Sequence, residues 1–191
     1  MRYSFTTQRL IVKEWHSFEP QELQHTQLTD IVQSILIPQI TADFPIMWRG
    51  EYDKKRARFW IKERDAEAIT LLALDKRSKN AIGFLHFFSV GKKKEAKQLR
   101  LGYALAINSW NKGYASELLE GFVSWCGDNN IATLLAGVNP KNSASMRVLQ
   151  KNGFTIDGLD ANGIDYLFGL KLQRGKLTEN LKSFTPRLHS Y

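Results

Sequence analysis

Ser109-Trp110-Asn111-Lys112-Gly113-Tyr114-Ala115 leads from an apolar segment, Gln98 to Ile107, into a run where Ala115, Leu118, Leu119, Phe122, Val123 and Cys126 recur. Their spacing of i, i+3, i+4, i+7, i+8 and i+11 is that of a helix with one buried stripe, and the segment before it reads as a strand. The quoted stretch is therefore a strand-to-helix turn. Gly113 and the small Ala115 let the main chain come close to a ligand, and the first helical turn carries N–H groups without internal partners. Those groups, the partial positive charge of a helix start and Lys112 as a nearby point charge suit an anion. A plain connection has the same short pattern, and spacing alone leaves both readings open.

Downstream, Leu134 to Val138 reads as a strand. Asn142 caps a helix that runs through Ser145, Val148 and Leu149 to Gly153, and Ile164 to Leu172 is a further strand. Upstream, Arg9 to Trp15 alternates as a first strand, and Glu19 to Thr29 and Ile31 to Ile37 have helical apolar spacing. Pro38 and Pro45 bracket a loop, Gln39 to Gly50, whose Asp43, Phe44, Met47 and Trp48 are placed to cover a pocket. Asp53 caps a helix reaching about Ala68, and Ile69 to Leu74 and Ala81 to Val90 form a hairpin through Asp75 to Asn80. Alternating strands and helices place the chain in the α/β class. Leu177 to Tyr191 has no strong pattern and reads as a tail.

With 191 residues, 43% of them hydrophobic, the chain holds one substantial core and is short for two. Met1 to Gln8 lack a secretory apolar segment, and no run nears the roughly 18 apolar residues of a membrane span, so a cytoplasmic location is expected. The lone Cys126 belongs to the helix's buried stripe, and four scattered histidines make no metal site. Neither disulfide nor metal chemistry is expected. A net charge of +8 favours a polyanionic partner, but the runs Lys54-Lys55-Arg56 and Lys92-Lys93-Lys94 read as solvated surface. No ring of aromatics is interleaved with basic residues in the manner of a single-strand nucleic-acid groove, so direct nucleic-acid binding is not expected.

Trp110-Asn111-Lys112-Gly113-Tyr114-Ala115, Asn139-Pro140-Lys141-Asn142-Ser143-Ala144-Ser145 and Asn152-Gly153-Phe154 together resemble the GNAT N-acetyltransferase family. Thr7-Gln8-Arg9-Leu10 and Leu101-Gly102-Tyr103 extend the likeness toward its RimJ/RimL branch, which acetylates the N-terminal amines of ribosomal proteins. The resemblance covers roughly Thr7 to Leu172 and implies a single domain over residues 7–174, followed by a tail over 175–191. It implies a mixed, strongly bent sheet of about six to seven strands flanked by helices, with two parallel strands, here Gln98 to Ile107 and Leu134 to Val138, splaying apart. Acetyl-CoA is the implied co-substrate. Its pantetheine would pair with main-chain groups of Leu105 and Ile107, its diphosphate would sit on Lys112, Gly113, Tyr114 and Ala115, and Asn142 would contact it or serve only as a helix cap.

The implied reaction is direct attack of a primary amine on the acetyl thioester, with an oxyanion held by main-chain N–H groups near Leu105. Many relatives protonate the leaving thiolate with a tyrosine where this chain has Leu149; Ser145, one turn earlier, matches the serine assigned that task in the RimJ/RimL branch. A serine at a helix start can also bond only to backbone. Where relatives often carry a glutamate base, this chain has Arg100, which leaves Asp43 or a water relayed past Tyr103 to take the ammonium proton. An N-terminal amine, with a pKa of about 7.7–8.0 against 10.4 for lysine, asks less of a base. Trp48, Phe44 and Trp110 either line the acceptor pocket or anchor packing. The expected partners are acetyl-CoA and an amine acceptor, such as the N-terminus of a ribosomal or other acidic protein, with no membrane contact and a monomer or homodimer. A small-molecule amine (polyamine, amino acid or aminoglycoside) and a CoA-binding module without catalysis are the alternatives.

Overall fold

A computed structural model describes residues 3–90, 98–161 and 163–172; the Lys92-Lys93-Lys94 run and the expected tail lie outside the described residues. Eight strands form one sheet: β1 (Ser4–Thr6), β2 (Leu10–Glu14), β3 (Ile69–Asp75), β4 (Ala81–Val90), β5 (Gln98–Leu105), β6 (Thr133–Val138), β7 (Thr155–Leu159) and β8 (Tyr166–Lys171). Their order is β1-β2-β3-β4-β5-β6-β8-β7, and every pairing is antiparallel except β5 with β6. The sheet exceeds the expected six to seven strands because of β1 and β7. β1 has three residues, and β7 is exposed at each position, so neither shows the alternation that makes a half-buried strand legible.

Helices cover both faces. α4 (Tyr114–Asp128) buries Leu118, Leu119, Phe122 and Cys126 against Leu10, Leu71, Leu85, Leu134 and Phe168, and α5 (Ser143–Lys151) adds Leu149. On the other face α1 (Leu28–Ile35) and α3 (Lys54–Glu67) bury Val32, Ile35, Ala57 and Trp60 against Leu72, Leu74, Phe84 and Ala104. Successive β3 residues serve opposite clusters, which is why the strand reads as a continuous apolar run. Cys126 is fully buried, as its place in the stripe predicts, and burial pushes its thiol pKa up.

Local chemistry moves several boundaries. The helix expected over Glu19 to Thr29 gives way to turns, with Gln24 and His25 at φ 51° and 59°, and regular helix starts only at Leu28. The loop between Pro38 and Pro45 contains a short helix, α2 (Pro38–Thr41), and a 3-10 turn follows at Ile46–Trp48. Asp53 caps α3, accepting the Arg56 N–H at 2.7 Å.

The feature that makes a site is where pairing stops. β5 and β6 are in parallel register from Gln98↔Thr133 to Leu101↔Ala136. Beyond that point β5 continues to Leu105 against β4 alone, and β6 continues to Val138 against β8 alone. A gap opens at Gly102 and Gly137. The Ala106 N–H donates to the Ile82 carbonyl at 2.9 Å, so by antiparallel alternation Ala104 and Gly102 also bond toward β4, while main-chain groups of Tyr103 and Leu105 face the gap.

Candidate functional site

Two cavities meet at this gap. One, a groove of about 550 Å³, runs beside the starts of α4 and α5; the other, about 560 Å³, opens on the sheet side toward the Asp43 to Arg49 loop. Asp43, Phe44, Tyr103, Asn142 and Ser145 line both. At the junction the Tyr103 hydroxyl lies 2.9 Å from Ser145 Oγ, close enough for either to donate. Burial pushes the Tyr103 phenol up to about 12 against the opposing pull of the Ser145 bond, so it keeps its proton at neutral pH.

The helix-side groove has features that suit an anion. Asn111 and Gly113 adopt left-handed φ values of 57° and 78°, a doubling back that ends on the first turn of α4. Gly113, Tyr114 and Ala115 line the groove, and Lys141, Arg147 and Lys151 supply three cationic side chains along it. Lys112, expected as the point charge, is not among the lining residues: its ammonium donates to the Asn108 carbonyl at 2.7 Å. Ile107 also departs from expectation. The strand ends at Leu105, Ile107–Ser109 form a 3-10 turn, and Ile107 lies outside the groove lining. Trp110 folds over this turn and donates its indole N–H to the Leu105 carbonyl at 3.0 Å, which leaves the Leu105 N–H as that residue's group facing the gap. The Asn142 carboxamide accepts the Ser145 N–H at 2.9 Å, so the residue is a helix cap that also borders both cavities.

The sheet-side cavity carries a different chemistry. Phe44 and Trp48 line it, whereas Trp110 lines the helix-side groove instead. Trp48 is also a packing anchor, with the Arg64 guanidinium 4.1 Å from its ring centroid and Trp60 and His86 edge-on to it. His86 crosses β5 at Gly102, where an added Cβ would fall 2.6 Å from its Nε2; only glycine leaves that space. Burial, with the nearby Arg64 charge, lowers the His86 pKa to about 4, so the imidazole is neutral.

Arg100, in place of the expected carboxylate, forks onto Asp160: Nη1 donates to Oδ1 at 2.9 Å, and Nη2 pairs with Oδ2. Sequence reasoning missed Asp160, which sits just past the exposed β7 in a stretch with no periodic signal. The Arg100 bond holds the Asp160 carboxyl below its usual range, opposed by burial. A depressed carboxyl stabilises the fold above its unfolded pKa of about 3.9 and loses that effect as pH falls through the lower folded value. Asp160→Asn is therefore expected to cost about 1–3 kcal/mol in urea unfolding at pH 7, with the difference from wild type shrinking steadily below about pH 4. An equal difference at pH 7 and pH 3 would show that the charge contributes nothing.

No helix among the described residues is long and apolar enough to cross a membrane, and none of their acidic, His or Cys side chains cluster as a metal site. The sequence model of the acetyltransferase (GNAT) domain matches residues 19–155. Among solved structures, a GNAT acetyltransferase from Bacillus anthracis is 16% identical with a TM-score of 0.70, over 88% of this chain and 98% of that one. A protein assigned as a ribosomal-protein-serine acetyltransferase from Vibrio cholerae is 17% identical with a TM-score of 0.62, over 88% and 97%. A ribosomal-protein-alanine acetyltransferase from Vibrio fischeri is 18% identical with a TM-score of 0.57, over 88% and 96%. No curated protein matches. A domain signature that spans the splayed strand pair, the α4 turn and the start of α5 settles the classification: this chain belongs to the GNAT acetyltransferase family, whose domains use acetyl-CoA as co-substrate.

Proposed function

We propose that the chain transfers the acetyl group of acetyl-CoA to a primary amine, with the N-terminal α-amine of a polypeptide as the acceptor. The observation that carries this reading is the meeting of two cavities at Tyr103 and Ser145, the helix-side one lined by three cationic side chains and the sheet-side one by carboxylates and arginines together. Lys141, Arg147 and Lys151, with the amides at the start of α4, suit the phosphates of the coenzyme in the helix-side groove. Asp43, Asp160 and Asp165 border the sheet-side cavity beside Arg49 and Arg100; with Asp160 held by Arg100, Asp43 and Asp165 are the carboxylates there that suit an ammonium.

In this reading the amine nitrogen forms a bond to the thioester carbonyl carbon, the Leu105 N–H steadies the resulting oxyanion, and the carbon–sulfur bond then breaks. The thiolate takes its proton from the Ser145–Tyr103 pair, and Asp43 receives the proton that the ammonium sheds. An α-amine with a pKa of about 7.7–8.0 is partly neutral at physiological pH, which fits a cavity in which the half-buried Asp160 is already committed to Arg100. The resemblance in Thr7-Gln8-Arg9-Leu10 and Leu101-Gly102-Tyr103 supports the polypeptide acceptor.

Asp43 and Asp165 on the same cavity also favour a small cationic amine, the second reading. Thiol release from acetyl-CoA with a panel of N-terminal peptides, polyamines and aminoglycosides separates the two. Peptide turnover at least about tenfold above the amines in kcat/KM is expected, a discrimination of about 1.4 kcal/mol. Turnover of the amines alone would replace the acceptor, and no turnover on any member would leave a coenzyme-binding module.

A further inference from the structure

Arg9 lies just before β2, far in sequence from the α4 turn, yet it binds that turn and the first turn of α4 at several points. Its Nη1 donates to the Lys112 carbonyl at 2.9 Å, its Nε to Glu117 Oε2 at 2.5 Å and its main-chain N–H to Glu117 Oε1 at 2.6 Å. The guanidinium also lies 4.2 Å from the centroid of the Tyr114 ring, and its Nη2 is 3.4 Å from where a Cβ on Gly113 would stand. Thr7 completes the cluster: its hydroxyl donates to Glu117 Oε1 at 2.6 Å and accepts the Leu10 N–H at 3.0 Å. On the far side the Tyr114 hydroxyl donates to Asp75 Oδ2 at 2.8 Å, which ties the same turn to the end of β3.

Two physical consequences follow. In a trans peptide the C=O and N–H point in opposite directions, so fixing the Lys112 carbonyl on Arg9, outside the groove lining, directs the Gly113 N–H toward the groove. Glu117 is the acidic residue in the first turn of α4, and its side chain is only 14% exposed. Burial raises the Glu117 pKa, but bonds from Thr7 and Arg9 outweigh that and hold the carboxyl below its usual range. A bare carboxylate there would repel a diphosphate approaching the same amides; the Arg9 guanidinium cancels it.

We propose that Arg9 is a positioning residue for the coenzyme, holding the α4 turn in its anion-accepting conformation and neutralising Glu117. This rests on the reading of the helix-side groove as the diphosphate site. It acts through the turn and not on the acetyl group, so its loss is felt by ligands that carry the diphosphate and not by the pantetheine arm alone.

The test compares CoA, titrated by calorimetry, with pantetheine, titrated by NMR, on wild type, Arg9→Gln, Glu117→Gln and the double variant. Arg9→Gln is expected to weaken CoA about 30-fold while moving pantetheine less than about twofold, and Glu117→Gln in that background to regain at least half of the loss on a logarithmic scale. Unchanged CoA affinity in Arg9→Gln, or an equal loss for pantetheine, overturns the inference. Should Arg9→Gln fail to fold, Arg9→Lys keeps a cation beside Glu117 but lacks the fork that also reaches Lys112, and a loss of about fivefold for CoA alone is expected. An equal effect of that variant on both ligands, or no effect, also overturns it. If wild type binds pantetheine but gains nothing from the diphosphate of CoA, the groove reading itself fails, a result distinct from the others.

Discussion

Gly113→Glu is expected to lower acetyl-CoA affinity by at least about 100-fold, with little change in thermal stability, because two costs add at one position. Gly113 holds φ 78° and ψ 2° as the residue immediately before α4, a conformation that costs a side-chain-bearing residue about 1 kcal/mol. The larger cost is electrostatic, since a carboxylate on the groove wall would face the proposed diphosphate site. Gly113→Ala separates the two. Its Cβ meets only the Arg9 guanidinium, at an ordinary contact distance of 3.4 Å, so the alanine variant reports chiefly backbone strain and should weaken binding by only about fivefold. Titration calorimetry on both variants checks this. Equal losses would mean that strain is the whole effect and that no anion sits there.

Tyr103→Phe and Ser145→Ala are each expected to lower kcat by about 100-fold or more while leaving the KM for acetyl-CoA within about threefold. The two hydroxyls are 2.9 Å apart at the junction of the cavities, and the phenol, pushed up to about 12, remains a proton donor throughout the physiological range. Removing either breaks one relay, so the double variant should be little worse than the slower single one. Single-turnover measurement of CoA release separates this chemistry from product dissociation. A rate for Ser145→Ala within about twofold of wild type would remove Ser145 from proton transfer, and additive losses would mean that the hydroxyls act apart.

Arg100 shows how a local departure acquires meaning only in three dimensions. By position along the chain it stands where relatives often carry a carboxylate, which reads as a missing base. In space it is the partner of Asp160, 60 residues away, and both border the cavity that would receive the acceptor. Nothing periodic marks Asp160, because a loop residue is positioned by the strands on either side of it and not by a repeat in its own segment.

What the amino-acid sequence by itself determined is the set of elements whose own period reports their burial: the α4 stripe, the β3 and β4 hairpin, the capped α3 and α5, and the glycine turn between strand and helix. The family follows from short motifs within those elements. Only the tertiary structure decided the end of β5–β6 pairing at Leu101 and Ala136, the Tyr103–Ser145 contact, the withdrawal of Lys112 and Ile107 from the groove, and the grip of Arg9 on the α4 turn. The physical reason is range. Helical and strand periods are set by neighbours within a turn or two, whereas the strand splay, the Tyr103–Ser145 contact and the grip of Arg9 join residues distant in sequence, and the local turn that withdraws Lys112 and Ile107 has no period to announce it.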